Sequence, residues 1–312
     1  MLLMHRKFQR PIYFSDYVKP LMQILSFSFF HLPASLAIVA LMTACSPARM
    51  LNALVPESGF RSTKAVVYGP GERGKLDVYV PAAPSPTPRP VIVFYYGGGW
   101  DSGSREDYLF VAEALTSRGF ITVIPDYRIY PEVVFPDFLD DSAAALQWTF
   151  GNIEKFGGDT RNTFVAGHSA GAQIAMMLAF DKTWLAHVKS DPAQIRGVIG
   201  LAGPYDFLPL KTERLKAIFP SPEQQALSQP IRYARKDAPP AFLVTGDSDD
   251  VVGPGNTKRF AQRIREAGGK VDEKYYPDLG HAKIVVVLAA PLRSRYKVLD
   301  DVAAFVNSSA AQ

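Results

Sequence analysis

Ser169 stands in Gly167-His168-Ser169-Ala170-Gly171, between an apolar stretch, Thr163–Gly167, and a helix-compatible run, Ala170–Phe180. In that setting G-x-S-x-G predicts a sharp strand-to-helix turn, with the serine hydroxyl lifted above the carboxyl edge of a sheet. The amides beside it would then open a helix, where a developing oxyanion is welcome. The chemistry this suits is nucleophilic attack on a carbonyl. A serine hydroxyl needs a base for that, and the chain has five histidines. His5 and His31 lie in the N-terminal leader, His168 adjoins the serine with its side chain expected to point away, and His187 falls in a surface segment. His281, in Pro277-Asp278-Leu279-Gly280-His281 just past the last expected strand, is the base that elimination leaves. The imidazolium formed during attack needs a carboxylate at its far nitrogen. Asp247, Asp249 and Asp250 all stand in "LVTGDSDDVV", at the end of a buried strand, and the residues alone leave the three open.

A third feature is "FYYGGGWDSGS", where Gly97, Gly98 and Gly99 follow a long apolar strand. Glycines there let backbone amides face a carbonyl oxygen without side chains in the way. A dinucleotide loop is not met, because Ser102 occupies the place of the third glycine in G-x-G-x-x-G. The chain also lacks G-x-x-x-x-G-K-[ST] and H-E-x-x-H, so neither a metal nor an organic cofactor is expected.

The elements that must hold these residues follow from the apolar pattern. "AVVYG" and "KLDVYVP" read as a hairpin, and "VIVFYY" as a strand covered on both faces. "FITVIP", "TFVAG", "GVIGLAG", "AFLVTG" and "KVDEKYYP" continue the series. Helices are expected around Tyr108–Ser117, Phe138–Lys155, Ala170–Phe180, Asn256–Ala267 and Lys297–Val306. Strand alternating with helix predicts the α/β class, a mostly parallel central sheet with helices on both faces. A single catalytic domain is expected over 63–312, preceded by a linker over 46–62, with a short lid over 204–240.

The chain of 312 residues is 47% hydrophobic and carries a formal charge of +4. Much of that excess is Arg6, Lys7, Arg10 and Lys19 in the leader, against Asp16 alone, so the remainder is nearly neutral. No nucleic-acid footprint is expected. From Leu21 to Cys45 the chain has no charge, the pattern of a secretory signal. "LMTACS" resembles the lipobox of bacterial lipoproteins, in which the cysteine is lipidated and becomes the first mature residue. Cys45 is the only cysteine. Residues 1–45 are therefore expected to be a signal or lipoprotein leader, giving a periplasmic or membrane-anchored exported protein. The alternative is a single N-terminal transmembrane anchor.

The stretches "YYGGGW", "PDYRIYPE", "DDSAAALQW", "FGGDTRNTFVAGHSAGAQIA", "TGDSDDVV" and "LGHAK" together resemble α/β-hydrolases of the carboxylesterase type. The similarity is to the hormone-sensitive-lipase-like and feruloyl-esterase-like (BD-FAE) branches and to prenylcysteine methylesterases. It implies the α/β-hydrolase fold and a triad of Ser169, Asp249 and His281. Asp249 is chosen because Gly246, Asp249 and Val252 fill the family's G-x-x-D-x-x-V pattern, with Asp250 as the alternative. The resemblance further implies the amides of Gly97, Gly98 and Ala170 as oxyanion donors, and Asp126 and Arg128 as braces of the glycine loop. Tyr96 departs from the histidine that many relatives carry there.

The expected reaction is ester hydrolysis through an acyl-enzyme, on small or short-acyl and aryl esters. Trp100, Tyr130, Phe207 and Leu208 are the candidates for an apolar acyl site. Two alternatives stand beside it: an amide or peptide hydrolase, arylformamidase-like or aminopeptidase-like, with the same triad; and a non-catalytic binding protein on the same fold.

Overall fold

Val91, Ile92, Val93 and Phe94 are consecutive apolar residues, and successive side chains of a strand point to opposite faces. Such a run is stable only where both faces of its sheet are covered. In the computed structural model, which describes residues 47–311, it is the inner part of β3 (Arg89–Tyr95) and is fully buried. The leader 1–45, with Cys45, lies outside the described residues. A short helix, α1 (Pro47–Asn52), precedes a compact unit that runs from Leu54 onward. Among the described residues no helix is long and apolar enough to cross a membrane.

The other strands are β1 (Phe60–Val67), β2 (Lys75–Pro81), β4 (Ile121–Pro125), β5 (Gly158–His168), β6 (Ile195–Leu201), β7 (Ala241–Gly246) and β8 (Val271–Tyr276). They form one eight-stranded sheet in the order β1-β2-β4-β3-β5-β6-β7-β8. β1 and β2 pair antiparallel, as do β2 and β4, and every later pair is parallel. β1 begins at Phe60, inside the stretch read as linker, because its exposed polar residues give little apolar signal.

Helices α2 (Leu109–Thr116), α3 (Asp137–Asn152), α4 (Ala170–Phe180) and α5 (Lys182–His187) follow along the chain. Then come α6 (Glu213–Ile218), α7 (Pro222–Leu227), α8 (Gly255–Glu266), α9 (Lys283–Val286) and α10 (Val298–Ala310). Val111 and Leu115 of α2 and Val302 of α10 line one small apolar cavity with Phe94, Ala166 and Ile199 on one face of the sheet. On the other face the hydroxyl of Tyr95 donates to the Ser142 carbonyl of α3 at 2.8 Å. Every residue of α4 is buried, which explains why it is apolar all round but for Gln173. The short helices α6 and α7 lie within 204–240; Ser221 and Gln224 form a capping box at the start of α7.

The register brings the strand ends level, Tyr95 of β3 beside Gly167 of β5 and His168 beside Leu201 of β6. Gly246 of β7 lies beside Tyr276 of β8. The loops that follow β3, β5, β7 and β8 therefore leave one carboxyl edge together, where open α/β sheets bind ligands.

Candidate active site

Ser169 has φ 55° and ψ −122°, a backbone conformation that few non-glycine residues adopt. The turn is held by its amide, which donates to the Leu201 carbonyl at 2.9 Å, and by the close approach of α4 to the sheet. A Cβ on Gly167 would overlap the Gly171 carbonyl, and one on Gly171 would overlap the Tyr95 carbonyl. Both flanking glycines are thus required by contact.

The loop after β8 crosses the end of β7 to reach this turn. Gly246 permits the crossing, because a Cβ there would overlap the Leu279 carbonyl. The Asp278 amide donates to Asp247 Oδ1 at 3.0 Å and tethers the same loop. His281 is carried to 2.8 Å from Ser169 Oγ through Nε2, and to 2.9 Å from Asp249 Oδ2 through Nδ1. Asp249 is buried and accepts the amides of Val251 and Val252 at 3.0 Å each, whereas Asp250 is exposed. Burial raises the Asp249 pKa, but the hydrogen bond and charge of His281 and the two amides outweigh it and hold the group below the usual carboxylate value. His187 is remote from this group and pairs with Asp140 at 3.1 Å.

The glycine loop packs against the serine, for a Cβ on Gly97 would lie 3.1 Å from Ser169 Cβ. Of the three amides expected to face an oxyanion, that of Gly97 instead donates to the Tyr108 hydroxyl at 3.2 Å. Among the described residues no group accepts the amide hydrogens of Gly98 or Ala170. Tyr96 stacks on Tyr127 with ring centroids 4.6 Å apart and donates to Asp126 Oδ1 at 3.0 Å. Asp126 also accepts the Arg105 amide at 2.8 Å and pairs with its guanidinium. Arg128 does not brace this loop. Its guanidinium forks onto Asp141 of α3, with Nε at 2.9 Å and Nη2 at 2.8 Å, because that carboxylate offers a planar two-point match. Arg73 takes the bracing position, donating to Tyr96 Oη at 3.0 Å and to the Gly103 carbonyl at 3.1 Å.

A family model for BD-FAE matches residues 76–264, which takes in the glycine loop, the serine turn and Asp249. The chain belongs to the BD-FAE family. It is 26% identical over 268 residues to a probable isoprenylcysteine alpha-carbonyl methylesterase of Oryza sativa subsp. japonica, covering 78% of this chain and 62% of the relative. It is 29% identical over 238 residues to the esterase LipC of Mycobacterium tuberculosis, covering 70% of this chain and 59% of that protein. The chain thus spans about three fifths of the length of these relatives, 62% and 59%. Among solved structures, a truncated carbohydrate esterase from gut microbiota superposes with a TM-score of 0.72 at 19% identity, over 82% of this chain and 99% of that one. The carboxylesterase EstE1, cloned from a metagenomic library, superposes with a TM-score of 0.68 at 20% identity, over 84% and 93%. The fold is that of the α/β-hydrolases.

In this BD-FAE chain the glycine loop ends in Trp100, which is buried and donates from Nε1 to Gln173 Oε1 at 3.2 Å. Gln173 passes the link on to the Ser228 carbonyl at 2.9 Å. The Trp100 ring lies 5.8 Å from that of Phe207 and 5.0 Å from that of Phe219. Tyr130 meets the same residue through its amide, 2.8 Å from the Trp100 carbonyl, while Leu208 is exposed. Arg214 of α6 donates to the Gly99 carbonyl at 3.1 Å and pairs with Asp101 at 3.1 Å, joining 204–240 to the glycine loop. Sequence reading missed Tyr108, Arg214 and Gln173. Only Gln173 carried a signal, as the one polar side chain in an otherwise apolar helix.

Proposed function

We propose that the chain is a serine hydrolase of carboxylic esters, with Ser169 as nucleophile, His281 as general base and Asp249 as the carboxylate that orients it. The observation that carries the reading is the continuous chain of hydrogen bonds, Ser169 Oγ to His281 Nε2 at 2.8 Å and His281 Nδ1 to Asp249 Oδ2 at 2.9 Å. His281 removes the hydroxyl proton as Ser169 Oγ attacks the ester carbonyl, and Asp249 stabilises the imidazolium. The amides of Gly98 and Ala170 receive the oxyanion. Gly97, whose amide is engaged by Tyr108, serves to bring the loop against the serine. His281 protonates the leaving alcohol, and water activated by the same imidazole then releases the acid from the acyl-enzyme.

Small or short-acyl and aryl esters are the proposed substrates. Trp100, which ends the glycine loop, packs ring against ring with Phe207 and Phe219, and such an apolar wall suits a small acyl or aryl group. One relative is named a methylesterase and another an esterase, which favours esters over amides. The test is a panel of p-nitrophenyl esters of rising acyl length, with p-nitroacetanilide as the matched amide and Ser169→Ala as control. Turnover highest with acetate and lost in the control supports the reading. Faster turnover of the anilide, of long-chain triglyceride, or of any ester by the control contradicts it.

The leader is proposed to export the chain and to place a lipid on Cys45. Growth with a labelled fatty acid should place label on the wild-type chain and none on Cys45→Ser, and label that is absent from both or equal in both would overturn this.

A further inference from the structure

His168, next to the nucleophile, is buried, and the mechanism above leaves it without a task. Its ring lies 5.1 Å from that of His281, and its Nε2 is 2.9 Å from the main-chain carbonyl oxygen of His281. A carbonyl only accepts, so Nε2 carries the proton and Nδ1 is bare. Nδ1 is buried without a hydrogen-bond partner among the described residues, and a Cβ on Gly97 would lie 2.9 Å from it. The ring is therefore enclosed between the glycine loop and the loop of the base.

The two hydrogen bonds of the His281 imidazole hold the ring, and one of them changes character whenever the proton moves to or from Ser169. The peptide of His281 needs a separate anchor if the ring is to return to the same place. We propose that His168 is a positioning residue whose Nε2–H, given to the His281 carbonyl, holds the base in register with Ser169. This rests on the reading of Ser169 and His281 as nucleophile and base.

Neutrality suits such an anchor. The charged groups that act on His168 are His281, from the loop after β8, and Asp249, from the end of β7. Burial and the neighbouring His281 together push its pKa down to about 3, so it adds no second positive charge beside the imidazolium.

The test measures kcat and KM for p-nitrophenyl acetate with the full chain and the variants His168→Gln, His168→Asn and His168→Leu. A glutamine amide nitrogen can take the place of Nε2, whereas an asparagine nitrogen falls near Nδ1 and does not reach the His281 carbonyl. His168→Leu should lower kcat about 10- to 100-fold, the cost of a misplaced catalytic group. KM should stay within about twofold, since ground-state binding is untouched. Gln should restore most of the lost kcat and Asn should not. A role in packing alone would move Gln and Asn together. Wild-type kcat in the leucine variant, or equal loss in Gln and Asn when both give the wild-type circular dichroism spectrum, overturns the proposal. If the leucine variant does not fold, the comparison of Gln with Asn decides. Ser169→Ala separates the two levels: loss of turnover there with an unaffected His168→Leu removes the anchor alone, and full turnover there removes both.

Discussion

Asp249 and His281 stand 32 residues apart in the chain, and their side chains meet at 2.9 Å while Asp249 also accepts two backbone amides. The carboxylate is thereby fixed before it fixes the imidazole. Asn at this position would keep the shape but present an N–H to Nδ1, favouring the wrong tautomer. Asp249→Asn should lower kcat about 10,000-fold with little change in KM, as steady-state kinetics on p-nitrophenyl acetate can check. Because the folded-state pKa of Asp249 is depressed, its contribution to stability is present above the ordinary carboxylate value and is lost as pH falls through the depressed one. Urea midpoints measured in acid should show a shallower decline in the Asn variant.

Gly246 and Leu279 make a second kind of contact, one of simple exclusion. A single methyl group on Gly246 would meet the Leu279 carbonyl and force the histidine loop away from the sheet edge. Gly246→Ala should cost about 100-fold in kcat, the effect of displacing a catalytic group by about 1 Å. It should also cost about 1–3 kcal/mol of stability through overpacking. Kinetics together with thermal melting would check both. Wild-type activity in a folded variant would show that the loop has another route across β7.

His168 predicts a particular acid sensitivity of the fold. The unfolded chain takes up its proton near the ordinary value of 6.5, and the folded protein only near 3. Between those values unfolding binds a proton, so stability falls as pH falls, by up to about 1.4 kcal/mol per pH unit from this residue. His168→Gln removes the titrating group. Urea denaturation at a series of pH values should therefore give a flatter profile for that variant between pH 6.5 and 3 than for the wild type.

Local patterns made much of this legible. The strand Val91–Tyr95 announced itself by continuous apolar residues, and the serine turn by small residues packed between a strand and a helix. Histidine elimination led to His281, while the acidic run left three carboxylates open and only the family resemblance singled out Asp249. The two side chains lie within hydrogen-bond reach of each other, and His281 of Ser169. Contacts between charged side chains remote in sequence were not legible. Arg128 was expected at the glycine loop and reaches Asp141, while Arg73 and Arg105 stand near Tyr96 and Asp126. A long arginine side chain can meet many acceptors, carboxylate, phenol or carbonyl, and only the packed fold selects among them. The Gly97 amide likewise turns to Tyr108 because the turn Arg105–Tyr108, just before α2, brings that hydroxyl alongside, which three glycines in a row cannot reveal. In 204–240 the helices α6 and α7 were not read from the sequence, because their six-residue spans are too short to give an apolar period.

The central claim is that Ser169 and His281 work as one unit, and a double-variant cycle on p-nitrophenyl acetate hydrolysis tests it most directly. Ser169→Ala and His281→Ala should each lower kcat about 10^5- to 10^6-fold, and the double variant should fall no further than either alone. Losses that add in free energy, or a single variant that keeps near-wild-type turnover, would contradict the account.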